Sequence, residues 1–372
     1  MKVCLVSAAY EPYPSGVSEH VRHLALELQT RGHSVHILTT NYARQRPDCL
    51  PVTRFGRALV LPGNRSHFTL PVGLRIPSQV KRFLTEEKFD IVHCHGIYPP
   101  EIAYYAATAS QAPVVVSFHT YRSRQWKLIA RLFRAAFRRL RTRIRARIAV
   151  SRAGQDWAEA WFPGKYHVIP NGVDTSRFRP DAPVPELLRG SHPTILYVGR
   201  LDGRKGLPCL IAALKTVRES VPDVRLLVAG SGPLESRCRS LAARLGLSDR
   251  VTLCGRVSNE DLPGYYAGCT VYCSPALSGE ALGIVLLEAM ASGRPVVASD
   301  IAGYNEVITD GKNGRLVPPG DPVALGRCLT SLLASEEERN RLAAAGLERS
   351  GDFAWPRVAG RIEDVYHEVL QQ

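Results

Sequence analysis

The sequence predicts an α/β protein built from two doubly wound, parallel-sheet halves. Three observations carry this. A strand–helix–strand pattern opens the chain, the same pattern returns near its middle, and 372 residues at 45% hydrophobic and 22% charged suffice for two domains with cores of their own. In the first unit, the apolar run at 3–7 reads as a strand. A Pro- and Gly-marked loop follows (Glu11 to Gly16), then a helix with Val17, Val21, Leu24, Ala25 and Leu28 on one face, a stop at Gly32 and a second strand at 34–39. In the second unit, a strand at 194–198 leads through the Gly-bounded loop 199–206 to a helix bearing Leu207, Leu210, Ile211 and Leu214, and then to a strand at 224–229. Between them, 169–174 is followed by Pro180, Pro183 and Pro185, a linker-like composition. The expected division is a first domain over 1–175, a second over 176–352, and a C-terminal helix over 353–372 that packs back toward the first domain.

Charge is unevenly spread. The formal net charge is +14, and residues 1–174 hold 25 Lys and Arg against 11 Asp and Glu, leaving 23 of each for the remainder. No acid lies between Glu101 and Asp156, while 122–152 is dense in arginine; such a surface expects a polyanionic neighbour. No uncharged apolar stretch approaches the ~20 residues that span a bilayer, and Met1-Lys2 leads straight into a strand, so the expected location is the cytoplasm. Nine cysteines are scattered without CxxC pairs and read as buried thiols.

The sharpest chemical signal lies at 278–293. A loop enters a helix near Leu282, and Glu288 falls mid-helix among Leu286, Leu287, Ala289 and Met290, so its carboxylate is expected to be buried and to need donors. A ribose diol supplies two; a structural pairing with an arginine is the plain alternative. The free N–H groups of Leu282, Gly283 and Ile284 suit a diphosphate. Arg200 and Lys205 stand on a loop at the carboxyl end of a strand, where open α/β sheets bind ligands, and their cations suit the same group. No Asp-x-Asp pair occurs, so no carboxylate clamp for a diphosphate-bound metal is expected, and neither a metal nor another cofactor is called for. Gly230-Ser231-Gly232-Pro233-Leu234-Glu235 lacks the third glycine of the dinucleotide fingerprint, which weakens a nicotinamide-dependent reading.

Taken in order, Gly16-Val17, Phe118-His119-Thr120, 169–174, Gly199-Arg200 with Lys205-Gly206, and Glu280-x7-Glu288 resemble the fourth family of retaining glycosyltransferases, along nearly the whole chain. Within that family the chain is most similar to the bacterial phosphatidylinositol α-mannosyltransferases, through Ser15-Gly16-Val17, Ser117 to Thr120, Val271-Tyr272-Cys273 and Gly279-Glu280 followed by 282–285. The resemblance implies a GT-B fold, two Rossmann-like domains facing each other across a cleft. It implies that Arg200 and Lys205 hold the donor diphosphate, Glu288 the ribose and Glu280 the transferred hexose. His119 would approach that sugar from the other domain, and Gly16 would admit the donor phosphates close to its backbone. Ala281 and Leu282 stand where the family commonly has Gly and Phe, and Ser15 where it has a second Gly; these departures bear on donor-sugar fit. The departing diphosphate itself would take the acceptor's proton, so no enzymatic base is required.

In the first half, alternation sends His93 and His95 to one face of a strand with no third ligand nearby in sequence, a structural pair. The Arg-rich run has helical spacing: Trp126, Ile129, Phe133, Phe137, Leu140 and Ile144 form one stripe, and Lys127, Arg131, Arg134, Arg138, Arg141 and Arg145 its cationic neighbour. A helix merely packed on the sheet explains the first stripe. An anionic membrane surface explains both, and no nucleic-acid motif accompanies the charge. The expectation is a metal-independent hexosyltransferase on the inner face of the membrane, with mannose from GDP-mannose passing to phosphatidylinositol or a related lipid. A soluble sugar, polyol or cyclitol acceptor is the rival within the class, and a non-enzymatic lipid- or nucleic-acid-binding protein the rival outside it.

Overall fold

The computed structural model describes residues 1–12, 15–42, 49–63, 66–119, 137–190 and 192–372. They form two compact units: Met1–Gly172 with Trp355–Gln372, and Val173–Ala354. The chain thus leaves the first unit three residues before the expected boundary and returns two residues after the expected one.

The first unit holds strands β1 (Lys2–Ser7), β2 (Ser34–Asn41), β3 (Val52–Gly63), β4 (Ser66–Val72), β5 (Ile91–His95), β6 (Val114–Phe118), β7 (Ile144–Ala149) and β8 (His167–Val168), in the order β4-β3-β2-β1-β5-β6-β7-β8. Every pairing is parallel except the β3–β4 hairpin at one edge. Helix α1 (Gly16–Thr30) is capped by Ser15, whose hydroxyl accepts from the Ser18 N–H, and it buries Val21, Leu24, Ala25 and Leu28 as the periodicity requires. Gly32 follows in the left-handed region. Alternate residues of the strands feed two cores. Cys4, Val6, Val92, Cys94, Val114 and Val116 enter one; Val3, Leu5, Ile37, Ile91 and Val115 enter the other. The second core is closed by the C-terminal helix Trp355–Leu370, whose Trp355, Val358, Ile362, Val365, Tyr366 and Val369 join the α1 side chains.

The second unit repeats the scheme with β9 (Thr194–Val198), β10 (Arg225–Ala229), β11 (Val251–Gly255), β12 (Val271–Ser274), β13 (Val296–Ser299) and β14 (Arg315–Val317), all parallel, in the order β11-β10-β9-β12-β13-β14. In both sheets the strand order reverses beside the first strand, between β1 and β5 and between β9 and β12. Ligands bind outside the carboxyl ends of strands at such points.

Two corrections arise here. The Arg-rich stripe does not run to residue 145 as helix: its described part is a short helix, Arg138–Arg141, and Ile144 opens β7 with Ile144, Ala146 and Ile148 buried and Arg145 exposed. Ile144 sits at helical spacing from Leu140, but it equally begins a period-two pattern, and pairing with β6 decides between them. Lys127, Arg131 and Arg134 lie outside the described residues. The cysteines are not uniformly buried either. Cys4, Cys94, Cys238, Cys269 and Cys273 are, but Cys209, Cys254 and Cys328 are half-buried and Cys49 is exposed.

The loops at the carboxyl edge of the second sheet rest on each other backbone to backbone. A Cβ on Gly206 would lie 1.8 Å from the Pro275 carbonyl oxygen, at φ +70°, and one on Gly230 would lie 1.9 Å from that of Gly199. Gly206→Ala is therefore expected to cost about 3 kcal/mol or more, whereas Gly203→Ala on the same loop, with nothing within 4 Å, stays within about 0.5 kcal/mol. Urea unfolding of the second unit checks the pair; equal midpoints would contradict the packing.

Candidate active site

In the second unit, the loop after β9 and the loop after β12 meet at the reversal of strand order. Lys205 comes from the first and Glu280 from the second, and the Lys205 Nζ lies 3.0 Å from Glu280 Oε1, both side chains largely shielded from solvent. Arg204 stands beside them, 3.8 Å from the same carboxylate oxygen, and its Nη1 donates to the Gly279 carbonyl at 3.0 Å. Arg204 is in turn placed by the buried Asp202, whose Oδ1 accepts from the Arg204 N–H at 2.9 Å. Two cations and one carboxylate thus share a space at the mouth of the sheet, an arrangement that accepts an anionic group on the cations and hydroxyl donors on the carboxylate. The sequence reading missed Arg204; its place between Gly203 and Lys205 on a cationic loop was the available signal. Arg200 lies on that loop with its side chain exposed, and its carbonyl oxygen accepts from the buried Tyr197 hydroxyl at 3.2 Å.

The helix at the end of the Glu280 loop is Ile284–Ala291, with Gly283 as its cap at φ +86°. Leu282 and Gly283 therefore precede the helix rather than forming its first turn, and among the three residues named for diphosphate contact only Ile284 is helical. The reason is the left-handed Gly283, which turns the chain into the helix with its Cα against the Tyr304 ring. Glu288 is half-buried rather than buried, and its Oε2 accepts from the Tyr266 hydroxyl at 2.7 Å. The helix is apolar nearly all round, so composition alone did not reveal that one of its edges meets solvent. Leu286, Leu287, Ala289 and Met290 do enter the core.

Of the remaining predicted residues, Gly16 opens α1 and His119 follows β6 in the first unit. His119 does not stand alone. His95, at the end of β5, has Nδ1 3.0 Å from His119 Nε2, and the His20 ring of α1 packs edge-on to His119 with centroids 4.7 Å apart. His93 lies one residue pair back on β5, its ring centroid 4.3 Å from that of His95, with Nε2 2.7 Å from Ser117 Oγ and Nδ1 2.6 Å from Tyr366 Oη. Strand alternation predicted the His93–His95 face. His20 and His119 join it only through tertiary structure, because they lie 75 residues before and 24 residues after His95 in the chain.

Burial holds these imidazoles neutral. It lowers His119 from the usual 6.5 to about 4 and His93 to about 3, and pushes His20 and His95 the same way; neighbouring histidines add to the effect at His20, His93 and His95, while the Asn171 side chain opposes it at His20 and His119. Because the folded values lie below the unfolded one, the unfolded chain takes up protons first as pH falls. Stability of the first unit is thus full above about pH 6.5 and is lost progressively from 6.5 down to about 4 for His119 and about 3 for His93. Urea midpoints of the first unit are expected to fall between pH 7 and pH 4.5; a flat profile there would contradict the neutral cluster.

Comparison with known proteins bears on both units. The pattern of the family described as Glycosyltransferase Family 4 matches residues 14–177, and that described as Glycosyl transferases group 1 matches residues 179–349. A phosphatidyl-myo-inositol mannosyltransferase of Mycobacterium leprae is 35% identical, over 99% of this chain and 97% of its own length. A GDP-mannose-dependent alpha-(1-6)-phosphatidylinositol monomannoside mannosyltransferase of Mycobacterium tuberculosis is 34% identical over 53% of this chain and 54% of its own. A solved glycosyltransferase of Rickettsia africae superposes with a TM-score of 0.79 at 20% identity, covering 100% of this chain and 99% of the other, and shows the shared fold. The dinucleotide-dependent and purely binding alternatives fall with these matches: two parallel-sheet α/β units of the GT-B kind, matched along almost their whole sequence, place this chain among the family-four glycosyltransferases.

Proposed function

We propose that this chain transfers a mannosyl group from GDP-mannose to phosphatidylinositol, with retention at the anomeric carbon. The observation that carries the reading is the identity of about a third, along 99% of the chain, to relatives named for that transfer, together with the meeting of Lys205 and Glu280 at the strand-order reversal. The donor preference draws support from the GDP-mannose-dependent relative, whose similarity covers about half of the chain.

In this reading the donor diphosphate lies against Lys205 and Arg200, with the N-terminus of Ile284–Ala291 adding its free amides. Charge develops on the diphosphate as the glycosidic bond breaks, and fixed cations in a partly shielded site stabilise it without reorganising. No metal is needed for that role in this reading, since Arg200 and Lys205 supply the positive charge. Glu280 accepts from hydroxyl groups of the hexose, and Lys205 holds it in place while serving the phosphate. Glu288 takes the ribose diol, with Tyr266 fixing its carboxylate. His119, neutral under assay conditions, offers a ring nitrogen to the sugar, and Gly16 leaves room for the phosphates at the start of α1. The leaving diphosphate accepts the proton of the attacking inositol hydroxyl.

The acceptor is delivered from a membrane. Among the described residues no helix is long and apolar enough to cross one. In this reading attachment is peripheral, at the inner face. Arg138, Arg141 and Arg145, continuing the run that includes Lys127, Arg131 and Arg134, supply the attraction, each arginine near an anionic leaflet contributing about 1 kcal/mol before screening.

Incubation with GDP-mannose and phosphatidylinositol vesicles is expected to yield the mannolipid, and a soluble cyclitol acceptor to yield far less; the reverse preference would refute the lipid acceptor. Glu280→Ala and Lys205→Ala are each expected to lower kcat by about a hundredfold or more with the circular dichroism spectrum unchanged, and near-normal turnover in both would remove the site. Sedimentation should show binding to anionic vesicles at low salt that weakens at high salt, against negligible binding to neutral ones; equal binding to both would remove the electrostatic attachment.

A further inference from the structure

Apart from the Lys205–Glu280 grouping, the densest cluster of metal-ligating side chains among the described residues is the set of imidazoles at the strand-order reversal of the first sheet. His20 comes from α1, His95 from the end of β5 and His119 from the residue after β6, and one ring nitrogen of each lies within 4.8 Å of the other two. Apart from the His95–His119 contact, the Asn171 side chain is the polar neighbour of His20 and His119, its Oδ1 itself unsatisfied, and His20 Nδ1, His20 Nε2, His95 Nε2 and His119 Nδ1 are buried without a partner of hydrogen-bond geometry. A buried unpaired polar atom is costly, and three imidazoles that each bring a ring nitrogen within 4.8 Å of the others can be satisfied together by a ligand that binds nitrogen lone pairs.

We propose that His20, His95 and His119 form a binding site for a divalent transition-metal ion of the zinc class. The donor set selects the ion. Three imidazoles without a carboxylate suit zinc, copper or nickel and not the oxygen-seeking magnesium or calcium. Tetrahedral zinc with Zn–N bonds of about 2.0–2.1 Å places ligand nitrogens roughly 3.4 Å apart, so the spacing needs a side-chain adjustment of about an ångström. An outer layer orients the rings. His93, held between Ser117 and Tyr366, lies against His95, and Trp355 packs edge-on to His20 at 5.1 Å between centroids. Binding breaks the His95–His119 hydrogen bond; its proton moves to the other nitrogen of the donor ring, and no net proton is released if each ring coordinates through one nitrogen. Three protein ligands leave a fourth position for water.

One consequence rests on the proposed function: an ion on His119 takes the ring that otherwise faces the hexose, so zinc inhibits mannosyl transfer and chelation restores it. The site itself stands without that reading.

The test uses the full chain, stripped with a chelator and titrated with Co2+ and then Zn2+. Binding of one ion per chain is expected, with the visible absorption of four-coordinate cobalt and no thiolate-to-cobalt charge-transfer band; X-ray absorption of the zinc-loaded wild type should count three imidazoles. His20→Gln and His95→Gln should each weaken zinc binding by about a hundredfold, while His167→Gln, on the surface beside Glu368, leaves it unchanged. Absence of stoichiometric binding, a thiolate signature, or unaltered affinity in folded His20→Gln and His95→Gln overturns the proposal, and the wild-type X-ray absorption count decides alone if either variant does not fold. Zinc bound with transfer unimpaired overturns the inhibitory consequence only. Absent transfer with zinc bound faults the mannosyltransfer reading instead.

Discussion

Backbone packed directly on backbone at the carboxyl edge of the second sheet is the constraint on which the meeting of Lys205 and Glu280 rests. The loop after β9 reaches the loop after β12 because Gly206 carries no Cβ to strike the Pro275 carbonyl, and the loop after β10 reaches the first of these because Gly230 carries none to strike Gly199. With those separations closed, the side chains meet directly: Lys205 reaches Glu280, and Arg204 ties the Gly279 carbonyl to the Asp202 turn. A larger residue at either glycine would move one wall of the site away from the other. The ion pair would then have to be remade across a gap, with both partners more hydrated and less well placed.

The first unit solves a different problem with the same topology. Its carboxyl edge carries imidazoles instead of a fixed ion pair, packed among Trp355, Tyr366 and Ser117 and held neutral by burial. A neutral ring nitrogen can accept or donate a hydrogen bond without adding charge, and it can also bind a metal ion. The C-terminal helix Trp355–Leu370 supplies two of the outer residues, so the last stretch of the chain shapes a site whose imidazoles all lie within its first third. Excess positive charge belongs to this same half of the sequence, while the other half is balanced.

Much of this was legible in the residues. The period-3.6 run from Val17 to Leu28, the apolar strands bounded by Gly and Pro, and their repetition near residue 194 determined two parallel α/β units, because hydrophobic spacing and turn chemistry are local properties. The family motifs singled out Lys205 and Glu280, which the structure brings to 3.0 Å. Errors fell where a local pattern admitted two answers. Ile144 fits a helix stripe and a strand alternation alike, and only its register with β6 settles it; Glu288 looks buried from its neighbours, and only the position of Tyr266 shows how it is half-exposed and partnered.

The sequence by itself determined the periodicities, the turns, the charge asymmetry and the membership of the family, since each is written within a few tens of contiguous residues or in their order. Tertiary structure alone decided the assembly of His20, His95 and His119 and the part played by Arg204. Those depend on which strands lie side by side. Neighbours in a parallel sheet are separated by a crossover whose length carries no record of the side chains it will bring together.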